Sequence, residues 1–342
     1  MKNLHFKTPF YNFYAPLIFK FRKQYALVLA KMWALTPEQT KQLILYSWDR
    51  FLANKFYSEA PYLPGQKIDF GQIKRSSDTI FILGCGASIN DLTENEWKII
   101  SQHDSIGVNY FYAHHFSPTF HMIELGQSPK SMACLNTHLL SQKSRKNEMI
   151  FLQIRHLLRR DKLELNDSNN NLYLYSPSVP KSTSVPLIRR ILVKWFKKPG
   201  QLIHHASNLD CTVHFAYQAG YKNIYLLGVD LNKNQYFWDV LQSDRPAISD
   251  VKSATQDDYR ISNFNQNPQA VHATADIKHT ATNMSLTVID YLTLVNDDIF
   301  SQQGIHLATC SPKSLLREHF DYVELSALAN NVTYGSTNNN DG

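Results

Sequence analysis

The chain is poor in cysteine and has no long apolar run. Its four cysteines, Cys85, Cys134, Cys211 and Cys310, are scattered, with no CxxC pair among them. A zinc ribbon needs paired thiolates and a disulfide scaffold needs dense cysteine, so neither is expected and a reducing cytoplasm is. The longest uninterrupted apolar run near the N-terminus is Tyr25–Ala30, well short of the roughly 20 residues of a membrane-spanning helix. No small-residue cleavage site follows it, so neither a spanning segment nor a secretion signal is expected. Compositional skew is absent too. Hydrophobic residues at 43%, aromatics at 12% and charged residues at 19% exclude a disordered, collagen-like or coiled-coil chain. At 342 residues the chain can bury one large α/β core or two ordinary ones.

Charge is unevenly placed. Residues 1–60 hold nine Lys/Arg against Glu38, Asp49 and Glu59, a surplus equal to the +6 of the whole chain. Phe10, Tyr11, Phe13, Tyr14, Leu17, Ile18, Phe19 and Phe21 are interleaved with those cations, a mixture that suits either an anionic membrane surface or an amphipathic helix packed on its own domain. A second basic cluster, Lys181, Arg189, Arg190, Lys194, Lys197 and Lys198, surrounds an apolar stripe of Leu187, Ile188, Ile191, Leu192 and Trp195 at helical spacing. Elsewhere acids slightly exceed bases and no nucleic-acid-binding motif occurs, so nucleic acid is not an expected partner.

The stretch Ala60 to Gln66, bearing Pro61, Pro64 and Gly65, reads as a linker after a basic, helical N-terminal extension over 1–66. The core follows over 67–329. Thr79–Leu83 is a short β-branched run that ends in Gly84-Cys-Gly-Ala-Ser88 and leads into a helix: strand, glycine turn, helix N-terminus. Further strands are expected near Ser105–Asn109, Phe120–Glu124, Met149–Gln153, Asn223–Gly228 and Ile305–Thr309, with helices at Cys211–Ala219, Asn283–Leu294 and Pro312–His319. Residues 242–271 are polar and aperiodic, which fits a long loop or lid, and the Asn-rich tail 330–342 is expected to be disordered. The alternation predicts an α/β, Rossmann-like, mostly parallel sheet with helices on both faces and no internal repeat.

The glycine turn fits neither familiar phosphate loop. In a dinucleotide fingerprint the third glycine would fall on Ile89, where a small residue is wanted, and no Gly-Lys-Ser/Thr follows as a Walker loop requires. An ordinary tight strand-to-helix turn also accounts for it.

Four segments taken in order say more. They are Ile80 to Leu92, Val108-Asn-Tyr-Phe-Tyr112, Ala219-Gly-Tyr-Lys-Asn-Ile-Tyr-Leu-Leu-Gly-Val-Asp230, and His279 with Cys310-Ser-Pro-Lys-Ser-Leu-Leu316. Across residues 78–326, about three quarters of the chain, this set resembles the bacterial sialyltransferases that act on lipooligosaccharide. More broadly it resembles the enzymes that use CMP-activated nonulosonic or octulosonic acids such as Kdo. The resemblance implies a single nucleotide-binding domain with a mobile lid, an inverting transfer, no metal and no resident cofactor. Carried over, the family's glycine turn falls on Gly84, Cys85, Gly86, Ala87 and Ser88, its ribose and phosphate asparagine on Asn109, and its serine near Ser207 or Asn208. Asp230, Ser311 and Ser314 lie in the matching segments on the donor side. One leaving-phosphate tyrosine aligns with Tyr236, the other with Asn232, and the general-base histidine with His279. Three departures surround the donor: Cys85 replaces the asparagine usual between the glycines, Glu124 stands near a lost donor-sugar asparagine, and Asn232 replaces a tyrosine.

The chemistry is coherent in its own terms. CMP leaves as a monophosphate, whose developing charge a few hydroxyl or amide donors and a helix N-terminus can hold without a divalent cation. A histidine near neutral pKa can take the proton of an attacking hydroxyl. Any one of the 14 histidines taken alone reads as structural or surface; its place before the Asn283 helix singles out His279. The acid pairs Asp257/Asp258 and Asp297/Asp298 read as surface charge, and His114/His115 and His204/His205 lack a metal-ligand setting. The leading expectation is therefore a bacterial glycosyltransferase of lipopolysaccharide or capsule synthesis. It would be peripheral on the inner face of the cytoplasmic membrane, with a CMP-sugar donor and a glycan or glycolipid acceptor as partners; self-association is left open. Two alternatives stay open: a transferase or pyrophosphokinase using another nucleotide on the same fold, and a non-catalytic nucleotide-sugar-binding protein.

Overall fold

Apolar runs that alternate between two different cores demand cover on both sides. Ile80 and Ile82 enter one core while Phe81 and Leu83 enter the other, the period-2 pattern of a strand buried on both faces. The computed structural model describes residues 9–59, 66–67, 70, 73–124, 128–155, 165, 171–240, 244–257, 270–276 and 286–332. Among these, nine strands form one sheet: β1 (Gln66–Lys67), β2 (Thr79–Leu83), β3 (Asp104–Val108), β4 (Phe120–Ile123), β5 (Met149–Gln153), β6 (Leu172–Tyr175), β7 (Asn223–Leu227), β8 (His306–Thr309) and β9 (Asp321–Tyr322). Their order is β1-β6-β5-β4-β3-β2-β7-β8-β9 and every neighbouring pair is parallel. The chain steps outward from β2 through β3, β4, β5 and β6, then crosses back to lay β7 on the other side of β2. Strand order therefore reverses between β2 and β7, which opens a crevice beyond their carboxyl ends.

One face is covered by α1 (Pro9–Met32), α2 (Pro37–Glu59), α5 (Val185–Trp195), α6 (Asn208–Gln218) and α9 (Val288–Val295). The other carries α3 (Glu94–Ser101), α4 (Pro129–Leu135), α7 (Phe237–Val240), α8 (Pro246–Asp257) and α10 (Leu325–Val332). The helix N-termini follow side-chain rules. Thr93, Ser207 and Thr287 each cap a helix reciprocally with an acid three residues on, which satisfies amide donors that have no partner within the helix.

The basic N-terminal segment is a helical hairpin laid on the sheet's first face. Ala26, Leu29, Ala30, Leu43 and Tyr46 are buried in the same core as the strands. Trp195 of α5 meets Tyr46 and Trp33 edge-on, with ring centres at 5.4 and 6.0 Å. Asp49 accepts from Arg155 at 3.0 Å and from the Val179 amide at 2.7 Å. Gln66–Lys67, at the end of the expected linker, pair with β6, and residues 60–65 lie outside the described residues.

Two readings need adjustment. Within the aperiodic stretch 242–271, residues Pro246–Asp257 form α8, whose Ala247, Ile248, Val251 and Ala254 are buried against the second core. Four small or medium apolar residues among polar ones make a narrow stripe, too weak for a sequence pattern to register. Residues 241–243 and 258–269 lie outside the described residues. The tail also begins later than expected, because α10 continues to Val332; residues 333–342 are not described.

A buried imidazole fixes how α6 joins this core. His214 stacks on Phe196 with ring centres 3.8 Å apart, accepts from the Ile203 amide at 2.9 Å and donates to the Phe196 carbonyl at 2.7 Å. Burial pushes its pKa down to about 3, and does the same to His205, down to about 4. An unfolded histidine titrates near 6.5, so as pH falls below about 6.5 the unfolded chain binds protons that the folded one refuses, and folded stability drops. The urea midpoint is accordingly expected to fall steadily from pH 7 to pH 4.5 at constant m-value. His214→Leu should flatten that slope while lowering stability at pH 7 by about 1–3 kcal/mol. A slope identical in parent and variant would refute the assignment.

Candidate functional site at the carboxyl ends of β2, β3 and β7

Past the ends of β2 and β7 the two main chains keep pairing. The Gly84 amide donates to the Leu227 carbonyl and the Gly86 amide to the Gly228 carbonyl, both at 2.7 Å. A Cβ on Gly84 would sit 2.4 Å from the Gly228 oxygen, and one on Gly86 would sit 2.5 Å from Asp230 Oδ2. Gly228 has φ +62° and its Cβ would meet Ile89 Cγ1 at 2.3 Å. The glycines thus allow two backbones and a side chain to occupy nearly the same space. This also explains Ile89: the small residue that a helix-on-strand approach needs is supplied by Gly228 on the neighbouring strand.

A polar brace surrounds this contact. Asp230 accepts from the Ser88 amide at 2.9 Å and, through a very short contact, from the Ser88 hydroxyl. Ser311 Oγ lies 3.3 Å from Ser88 Oγ and accepts from the Gly228 amide at 3.0 Å. Ser314 donates to the Val229 carbonyl at 2.6 Å and caps the 3-10 turn Leu315–Glu318. Leu231, next in the chain, holds φ +60°, a left-handed conformation costing a branched residue roughly 1–2 kcal/mol. A cavity of about 290 Å³ opens beside the brace, lined by Ser88, Asp91, Glu96, Ser311, Tyr322 and Glu324 among others.

A second group gathers at the ends of β3 and β4. Asn109 follows β3 with φ +53°, a region asparagine tolerates better than most residues. Its Oδ1 accepts from the Glu124 amide and from Asn208 Nδ2, each at 2.9 Å. Asn208 Nδ2 also reaches the Met122 carbonyl at 2.9 Å, and Asn208 Oδ1 takes the Tyr175 hydroxyl at 2.6 Å. Glu124 lies 3.7 Å from His204 Nε2. Cys85 joins the two groups, since its thiol donates to the Val108 carbonyl at 3.2 Å, and burial pushes its pKa well up.

Of the residues singled out from sequence, Gly84, Cys85, Gly86, Ala87, Ser88, Asp230, Ser311 and Ser314 form the first group, and Asn109, Glu124 and Asn208 the second. Ser207 serves as the α6 cap. Tyr236 lies across the glycine turn, paired with Gly86 in an antiparallel bridge, while the Ala87 amide donates to the Gln235 carbonyl at 3.2 Å. Asn232 donates its amide to the Lys313 carbonyl at 2.7 Å. His279 lies outside the described residues. Sequence reasoning missed His272, whose Nε2 is 3.3 Å from the Tyr236 hydroxyl and whose amide donates to Leu231 at 2.9 Å. Burial pushes His272 down to about 4, so the ring is neutral at pH 7. It also set aside His204, now beside Glu124; neither histidine sits in a motif that would flag it. Among the described residues no three His, Cys, Asp or Glu side chains converge as a metal site would require.

No protein-family model matches the chain, and no curated protein is similar to it. Three solved structures are similar to it. The sialyltransferase CstII from Campylobacter jejuni, in complex with the substrate analogue CMP-3FNeuAc, matches over 72% of this chain and 87% of its own at 16% identity and TM-score 0.39. The monofunctional α-2,3-sialyltransferase Cst-I from the same organism matches over 74% and 82% at 16% identity and TM-score 0.40. An α-2,3-sialyltransferase of that organism in apo form matches over 74% and 82% at 15% identity and TM-score 0.36.

Gly228→Ala tests the contact on which both groups rest. It should destabilise the protein by about 2–4 kcal/mol, from the left-handed backbone and the clash with Ile89 together. Ile89→Ala, added to it, should restore part of that loss and give a clear coupling energy in a double-mutant cycle by urea unfolding. A Gly228→Ala protein within about 0.5 kcal/mol of the parent, the ordinary range of a surface substitution, would contradict the geometry.

Proposed function

We propose that this protein is an inverting, metal-independent glycosyltransferase that moves a sialic acid-like or Kdo sugar from a CMP donor to a surface glycan or glycolipid at the inner face of the cytoplasmic membrane. The observation that carries the reading is the position of Tyr236, paired with Gly86 on the rim of the β2/β7 crevice, with Asn109 and Asn208 at the neighbouring strand end. Ligands of open α/β sheets bind at such a reversal of strand order. In the reaction proposed, an acceptor oxygen attacks the anomeric carbon as its bond to the CMP phosphate breaks. The hydroxyl proton passes to a histidine and CMP leaves with the bonding pair. His279 is the proposed base. Tyr236 is the proposed hydroxyl donor to the leaving phosphate, where hydrogen bonds strengthen as charge develops.

A panel of CMP-sugars tests this: CMP release is expected with at least one nonulosonate or Kdo donor, at a rate unchanged by EDTA. A strict requirement for magnesium or manganese would point instead to a nucleoside-diphosphate donor. A specific observation favours a second reading, a non-catalytic nucleotide-sugar-binding protein. Asn232 stands where the resemblance implies a phosphate-binding tyrosine and its side-chain amide donates to the Lys313 carbonyl, so this position offers a leaving phosphate no hydroxyl donor. CMP binding with no release from any donor would decide for that reading.

Mutant kinetics divide the roles. His279→Ala is expected to lower kcat by about 10²–10⁴ with CMP affinity unchanged. Tyr236→Phe should lower kcat by about 10²–10³, with KM little changed. Activity within a few-fold of the parent in either variant would remove that residue from its role.

A further inference from the structure

The N-terminal hairpin buries one face of α1 and leaves the opposite face open. Ala26, Leu29 and Ala30 are buried, yet Phe21 is 68% exposed, Met32 73%, Val28 59%, Leu17 50% and Tyr25 41%. At 3.6 residues per turn these five outward residues fall within an arc of about 80°, and the stripe from Leu17 to Met32 runs about 22 Å. A helix that is apolar on both faces has a second partner besides its own core.

The charge around the stripe says which. Over Pro9–Met32 the helix carries Lys20, Arg22, Lys23 and Lys31 and no acid. Lys20, Lys23 and Lys31 are exposed. The helical wheel sets Lys20 and Lys31 along one edge of the stripe, while Lys23 falls about 160° from its centre, on the far side of the helix. The basic helix α5 adjoins the end of α1, since Arg190 donates to the Trp33 carbonyl and its guanidinium lies 6.0 Å from the Trp33 ring centre. Lys197 and Lys198, just past α5, are exposed as well. An apolar stripe edged by cations matches a bilayer that presents acyl chains beneath anionic headgroups.

We infer that the outward face of α1 docks on an anionic lipid surface, with Leu17, Phe21, Tyr25, Val28 and Met32 entering the headgroup boundary and Lys20 and Lys31 meeting lipid phosphates. Because the inner face is fixed to the catalytic core, the core is held at the surface by a rigid platform. The inference rests on the proposed transfer only for its use, since a lipid-borne acceptor would be presented there.

Co-sedimentation of the full-length protein with phosphatidylcholine vesicles, and with vesicles containing about a quarter phosphatidylglycerol, tests it. The parent should bind the anionic vesicles and release at high salt. The variants Phe21→Ser/Val28→Ser/Met32→Ser and Lys20→Glu/Lys31→Glu should each bind roughly tenfold more weakly or worse, with an unchanged Tm. Absence of parent binding, or variants that bind as the parent does, would overturn the docking. A parent dimer that the Ser variant splits, with no vesicle binding, would instead assign the face to a second copy of the chain. CMP release is measured on the same samples with a soluble acceptor. Lipid binding without CMP release overturns the transferase reading alone, and the reverse overturns the docking alone.

Discussion

Beyond the carboxyl ends of β2 and β7 the main chain at Gly84 and Gly86 and the main chain at Gly228 run closer than any pair of side-chain-bearing residues permits. That approach sets where everything nearby can go. It lets the two strands continue their pairing past the sheet, brings Ser88 onto Asp230, and seats Ile89 in the space that Gly228 leaves. The strand order reverses at the same place, so the contact that closes the fold also forms the floor of the crevice where a ligand is expected. A glycine turn in this position has a packing reason to exist before it has a binding one.

The polar groups around it divide by what their atoms already do. Ser311 and Ser314 hold the end of β7 through its backbone, and Ser207 caps α6; their hydroxyls are engaged within the scaffold. Asn109, held at positive φ by two hydrogen bonds to its side chain, and Tyr236, held by its bridge to Gly86, are positioned by the scaffold. Cys85 connects the two groups through Val108, so its thiol ties the glycine turn to the end of β3.

The helical hairpin shows how one sequence feature can satisfy two demands. One helix, α1, carries an inner apolar set that completes the core and an outer one edged by lysines. Composition counts both sets together and cannot say which residue faces which way. Once Trp195 and Tyr46 fix the hairpin's rotation, the faces separate.

The sheet was legible in the sequence because each strand of a doubly covered parallel sheet is a short apolar run bounded by turn residues, and runs such as Thr79–Leu83 and Asn223–Leu227 stand out by themselves. The starts of α3 and α6 carry a local signal too, a capping residue and an acid three positions on at Thr93 and Ser207, although the sequence reading began the second of these helices at Cys211. Three strands were not read from the sequence: β6, four residues long, and the edge strands β1 and β9, two residues each, carry too little pattern to be seen. The stripe of α8 is too narrow to separate from a loop until α4 lies against it. His272 meeting Tyr236, Glu124 meeting His204, and Gly228 making room for Ile89 join residues far apart in the chain. Local sequence determined the elements and their order, because propensity, periodicity and capping act within a few residues. Which polar groups share a site was decided by the tertiary structure alone, because strand order and the close approach of β2 to β7 set those distances.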